Sequence, residues 1–318
     1  MIVPWLLAGL GLGVLVLAGD ALVKGAVNLS LRLGIPALIV SLTVVAFGTS
    51  APELLIAINA VIGNAPGIAM GNVVGSNTAN ALLVLGLPAM FAALHTADTD
   101  ARKSYLQMMA ATVLFIALAF AGVFAWWSGL ILLGGLALYI GSALRAARRH
   151  RRARKNGNGD NDDLDGADPS MPGLKIAMYL VAGLVGLPLG ADLLVDNASI
   201  IARTFGISDT AIGLTLVALG TSLPELATTV MAALRRQADV ALGSVIGSNM
   251  FNLLAIIGVA SLIGAIPVDR AFLTFDLWVM LAASVMLVPF VFFGQPVTRI
   301  WGAGLTAIYL TYVWVVLS

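Results

Sequence analysis

Glu53 and Glu225 are the only glutamates in 318 residues, and each lies inside an apolar run just after the string GTS-x-P. A carboxylate at the centre of a bilayer costs at least about 2.5–3.5 kcal/mol on insertion scales, so two such residues mark a functional site. Residues three and four apart share a helix face. Thr49, Ser50 and Glu53 therefore project together, as do Thr221, Ser222 and Glu225. Pro52 and Pro224 each remove a backbone donor and crowd the preceding turn, which frees carbonyls near Gly48 and Gly220. Carboxylate, hydroxyl and carbonyl oxygens are the ligands that hard cations such as Ca²⁺ select. With no cysteine in the chain and histidine only at His95 and His150, both read as solvated loop residues, nothing suits a transition metal. The next apolar run of each pair adds GSN, where Ser76 and Asn80 share a face, as do Ser248 and Asn252. Asn77 and Asn249 lie beside them, and Gly71, Gly75, Gly243 and Gly247 allow close helix approach.

The elements that position these groups follow from composition. The chain is 60% hydrophobic and 10% charged, with mean hydropathy +1.00, against about a quarter charged in soluble domains. This excludes an ordinary cytosolic enzyme, a nucleic-acid binder and a disulfide-built secreted module. Breaks at Gly, Pro and charge clusters divide it into ten apolar segments: 2–31, 36–62, 67–94, 104–125, 127–147, 173–203, 208–234, 239–265, 271–293 and 297–317. Each is about as long as a membrane-crossing helix. The expected fold is an all-α polytopic membrane protein, with Ile2–Ala18 retained as part of the first span.

Shifting the chain by 172 residues lays 41–90 on 213–262 without a gap, with 20 identities in 50 positions concentrated in polar residues. Asp20 and Asp192 superpose at the same shift. Two halves result, 1–144 and 173–318, joined by a polar loop, 145–172. Five spans per half is odd, so the second half enters the membrane in the opposite sense, as in many secondary transporters. A lipid-headgroup or regulatory patch is a second reading of the loop's basic start, Arg145–Lys155. With that loop cytoplasmic, 15 of the 17 Lys and Arg fall on the inside and only Arg203 and Arg270 outside, so both termini face out.

At GTSAPELL, GNVVGSNTAN, GTSLPELA and GSVIGSNMFN the sequence resembles the cation/calcium exchanger superfamily with its paired α-repeats, most of all the bacterial and archaeal sodium/calcium exchanger branch. The resemblance implies Na⁺/Ca²⁺ antiport by alternating access in a plasma or inner membrane, with Ca²⁺ and Na⁺ as transported ligands and no covalent cofactor. It also implies that Glu53, Glu225, Thr49 and Thr221 bind Ca²⁺. Ala46, Ser50 and Ser76, with Ala218, Ser222 and Ser248, shape flanking Na⁺ sites, the alanines through their carbonyls. Asn80 and Asn252 complete the middle of the site, and the long first and sixth segments slide past the core. Many relatives carry aspartate where this chain has Asn252. Asparagine stands in for a protonated aspartate as a neutral ligand, and the change bears on K⁺ dependence, stoichiometry and proton coupling. A loop of 145–172 has no room for a large Ca²⁺-sensing domain.

The residues leave other readings open: a Ca²⁺/H⁺ antiporter on the same glutamates, a cation channel, or an intramembrane aspartyl protease built on Asp20 and Asp192. The protease reading lacks the GxGD that such enzymes show, since Gly190–Ala191 precedes the second aspartate, and a serine enzyme lacks an intramembrane histidine. Asp20 and Asp192 are either pathway residues or helix-end residues near the headgroups. The repeat implies a complete site in one chain, hence a functional monomer with the lipid bilayer as its surroundings and no required protein or nucleic-acid partner.

Overall fold

A computed structural model describes residues 2–95, 101–155, 168, 170–207 and 218–317, with side chains at 153–155, 218 and 317 excepted. The expected loop stretch 156–167 and residues 208–217, which open the seventh segment and the second repeat, lie outside the described residues. The described chain is nearly all helix. In order it comprises α1 (Ile2–Leu33), α2 (Ala37–Thr49), α3 (Ala51–Ile62), α4 (Pro66–Phe91), α5 (Arg102–Ala119), β1 (Val123–Phe124), α6 (Trp126–Lys155), α7 (Gly173–Thr204), α8 (Ala218–Gly220), α9 (Leu223–Leu234), α10 (Ala238–Ile263), β2 (Ile266–Pro267), α11 (Phe272–Phe292) and α12 (Arg299–Leu317).

Seven of these, α1, α4, α6, α7, α10, α11 and α12, are long and apolar enough to cross a membrane. The pair α2–α3, bent by 42°, makes an eighth. The expected fourth span is α5, whose first turn carries Arg102 and Lys103 and dilutes its hydropathy. The expected seventh is represented by α8 and the short apolar α9. Helix α6 runs through the basic cluster to Lys155. Arg145–Lys155, expected in the loop, are therefore helical, and His150 stands on a helix, because the polyarginine stretch contains no Gly or Pro to stop one.

The backbone carries the 172-residue offset in detail. Every residue with positive φ among those described has a mate at that spacing: Gly34 with Gly206, Asn64 with Arg236, and Gly122 with Gly294. A π-helical turn at Asn80–Val84 in α4 recurs at Phe251–Ile256 in α10. The helix break at Ser50 (φ −86°, ψ 5°) recurs at Ser222 (φ −90°, ψ 0°), each followed by a proline in the first turn of the next helix. Strands β1 and β2 pair antiparallel, and a bridge joins Leu94 to Val297. Leu94 is itself the offset mate of Ile266.

Burial divides the helices into centre and rim. In α4 and α10, 83% of the apolar stretch is buried, against 17–39% in the other five long helices. Leu6, Leu17, Leu138, Leu174, Leu189 and Trp314 are exposed on rim helices, as lipid-facing positions are in a bundle whose surroundings are apolar. Leu15, Ala18 and Leu22 of α1, Val40 and Val45 of α2, and Leu187 and Ala191 of α7 form a second, smaller apolar cluster beside the main core. The two helices touch through glycine. A Cβ at Gly183 would lie 2.5 Å from the Leu22 Cβ and 2.8 Å from its Cα.

Gly183→Val therefore overpacks the α1–α7 seam and costs about 1–3 kcal/mol, whereas Gly13→Val, with nothing within 4 Å of the added atom, is near neutral. Thermal melting of the two detergent-solubilised variants checks the difference, and equal melting points would contradict this packing.

Candidate functional site

The site forms where the two bent segments meet the two buried helices. Proline in the first turn of α3 and α9 ends the preceding helix and starts a new one, and Glu53 and Glu225 occupy that first turn. New helix N-termini favour negative charge through their free N–H groups, so the break accommodates carboxylates at depth. Both glutamates are 1% exposed.

Helix α10 closes on α2 because a Cβ at Gly247 would lie 2.6 Å from the Ala46 Cβ and 2.7 Å from the Leu42 carbonyl. Only glycine permits that approach, and it brings Ser248 to the break. There Ser50 Oγ donates to Glu225 Oε1 at 3.2 Å, and Ser248 Oγ donates to the same oxygen at 3.5 Å. Thr49 Oγ1 and Ser248 Oγ are 3.5 Å apart. One glutamate is thus held by hydroxyls from both repeats.

The π-helical turns at Asn80 and Asn252 are widened turns of the kind that recur at functional sites. Asn80 Nδ2 donates to Asn249 Oδ1 at 3.1 Å, across the repeats. The second oxygens, Glu53 Oε2 and Glu225 Oε2, are buried without a hydrogen-bond partner, and so are Asn80 Oδ1 and both side-chain polar atoms of Asn252. Buried polar groups are nearly always satisfied, so these orphaned atoms, four oxygens and one amide nitrogen, mark a place where a polar or charged ligand would be satisfied. Among the described residues no three His, Asp or Glu side chains cluster. The available ligands are therefore two carboxylates with neutral oxygens, a set for hard cations.

Of the residues expected from the sequence, Ala46, Thr49, Ser50, Glu53, Ser76, Asn80, Ser222, Glu225, Ser248 and Asn252 are all buried. Thr221 is half-buried, and the side chain of Ala218 lies outside the described residues. Ser76 and Ser222 occupy the turns corresponding to Ser248 and Ser50. Asp20 takes its partners from Lys24 and Arg235, away from the glutamates, and Asp192 is exposed. Two participants were not singled out by sequence. Tyr139 of α6 donates to the Leu42 carbonyl at 2.8 Å, beside the π-helical turn Ser41–Val45. Met108 of α5 places its sulfur 3.8 Å from Asn249 Nδ2. A buried tyrosine hydroxyl needs a partner, but its identity depends on tertiary packing.

The model of the sodium/calcium exchanger protein family matches residues 3–145 and again 175–318. The chain belongs to this family. It is 36% identical to the sodium/calcium exchanger MaX1 of Methanosarcina acetivorans, covering 98% of this chain and 97% of that one. It is 33% identical to the inner membrane protein YrbG of Escherichia coli over 87% of this chain and 85% of the relative. Among solved structures, the sodium-calcium exchanger NCX_Mj soaked with Na⁺ and Ca²⁺ superposes with a TM-score of 0.82 at 30% identity, covering 98% of both chains. The sodium/calcium exchanger family member described here is a multi-pass membrane protein of the cation antiporter class.

Asn252→Leu replaces an amide with no partner by an apolar group of similar size, so stability is unchanged or raised. Asn249→Leu orphans the Asn80 donor and costs about 1–3 kcal/mol. Melting curves of the cation-free protein check this order, and the reverse order would contradict the assignment of Asn252 to an unsatisfied site.

Proposed function

We propose that the chain is a secondary active antiporter that exchanges Na⁺ for Ca²⁺ by alternating access. It spans the membrane ten times as two five-helix repeats of inverted topology, with both termini outside and the 145–172 loop cytoplasmic. Glu53, Glu225, Thr49 and Thr221 bind Ca²⁺. Ser50, Ser76, Ser222 and Ser248, with the carbonyls of Ala46 and Ala218, form the flanking Na⁺ sites, and Asn80 and Asn252 supply neutral oxygens between them. The observation that carries this reading is the pair of buried glutamates, each with an unpartnered oxygen, with Glu225 held by Ser50 of the first repeat and Ser248 of the second. The family, and relatives named as sodium/calcium exchangers, support it.

Two carboxylates bring about −2 charges into a medium where isolated charge is expensive. One Ca²⁺ or two Na⁺ neutralises them, and both compete for the same oxygens, which couples the fluxes. A neutralised site permits the α1–α7 pair to shift against the body of the bundle, and a bare double charge resists the shift. This coupling separates a carrier from a channel. Proton coupling is the second reading, because the same glutamates can carry protons when Asn252 supplies no third carboxylate.

The test is ⁴⁵Ca²⁺ uptake into Na⁺-loaded proteoliposomes diluted into Na⁺-free buffer, with and without a pH gradient. Uptake requires the outward Na⁺ gradient and falls at least about a hundredfold in Glu53→Gln and in Glu225→Gln, a loss of roughly 2.7 kcal/mol. Uptake driven by the pH gradient alone would replace Na⁺ by protons. Uptake surviving in either variant would overturn the site.

A further inference from the structure

At one end of the bundle, Asp20 of α1 uses both carboxylate oxygens. Oδ1 accepts from Nε and Nη2 of Arg235, and Oδ2 meets Lys24 Nζ at 2.8 Å. Arg235 caps the C-terminus of α9, the helix whose first turn carries Glu225. Between the glutamate and this ion cluster, α1 lies directly on α9. A Cβ at Gly19 would be 3.0 Å from the Ala227 carbonyl and 3.3 Å from the Met231 Cγ. The ion cluster therefore joins the α1–α7 pair to the main body, at the end of α9 remote from the site.

The other half lacks this arrangement. At the 172-residue offset, Asp192 matches Asp20, but Asp196 stands for Lys24, and Gly63–Asn64 for Arg235–Arg236. Asp192 and Asp196 are both exposed. The backbone is duplicated here, since Asn64 and Arg236 share the left-handed turn that ends the helix (φ 58° and 55°). The difference lies in the side chains and the charge they carry. A contact that the fold needed for its own stability would appear in both halves, whereas a contact made in one half favours one of two exchanged arrangements.

We propose that the Asp20–Arg235–Lys24 cluster is a one-sided latch, which holds α1 against α9 and keeps the route from Glu225 to that end of the bundle closed until the cation site is neutralised. Asp20 and Arg235 act as positioning residues through the α1–α7 pair. The proposal rests on the antiporter reading, but its test does not require transport.

The chain contains no cysteine, so Met231→Cys places a single thiol beneath α1. In purified proteoliposomes of each orientation, a membrane-impermeant methanethiosulfonate reagent reports whether α1 covers it. Labelling from the Arg235 face is slow in this background and rises roughly threefold to tenfold on adding Asp20→Asn or Arg235→Gln, the range for a partly exposed but multiply bonded pair. Arg235→Lys, which retains a cation, keeps labelling slow, and Asp192→Asn leaves labelling of Asn59→Cys, at the mate of Met231, unchanged. Arg235→Gln keeps the test open should Asp20→Asn fold poorly. Unchanged labelling in both charge-removing variants overturns the latch, as does equal opening with Arg235→Lys. Exchange measured on the same vesicles separates the two ideas: labelling that follows this pattern without Na⁺-driven Ca²⁺ uptake leaves the latch and removes the antiporter.

Discussion

Two buried carboxylates, one from each repeat, are the constraint around which this bundle is built. Charge taken out of water is costly in a protein interior, and among the described residues neither glutamate is paired with a basic side chain. Glu225 is held by Ser50 and Ser248, neutral donors that satisfy one oxygen and leave the other. The orphaned carboxylate oxygens are acceptors that a bound cation or a proton would satisfy, and on the proposed reading the two charges match one divalent or two monovalent ions.

The surrounding structure supplies the helix breaks and π-helical turns of this arrangement twice. Proline breaks each bent span and presents a fresh helix N-terminus to its glutamate, while Gly247 lets α10 reach α2 closely enough for Ser248 to cross to the break. π-Helical turns at Asn80 and Asn252 release the helical ladder where α4 and α10 pass the site. Because these features recur at one offset, equivalent side chains of both halves lie at the break. The ion cluster at Asp20 stands out against that symmetry.

Much of the site was legible in the sequence because its signals are chemical and repeated. Two glutamates, two GTS-x-P strings and two GSN strings at one spacing leave little room for coincidence, and the structure buries nearly all of the residues they indicate. The less legible parts depend on tertiary contacts. Asp20 read equally as a pathway or a helix-end residue, since Arg235, its main partner, is 215 positions away in sequence. The pairing of Asn80 with Asn249, rather than with its own mate Asn252, follows from the register of α4 against α10. Tyr139 and Met108 look like ordinary core residues until their partners are known. The helix continues to Lys155 because Arg145–Lys155 contains no Gly or Pro, a signal that the charge density of the stretch masks in the sequence.

Equilibrium ⁴⁵Ca²⁺ binding to the purified, detergent-solubilised protein, titrated with Na⁺, tests the shared-charge account most directly. It predicts Ca²⁺ displaced competitively by Na⁺ with a steepness greater than one ion, and binding lost on neutralising either Glu53 or Glu225 alone. Ca²⁺ binding indifferent to Na⁺, or retained with only one glutamate, would contradict the claim that the two carboxylates form a single site.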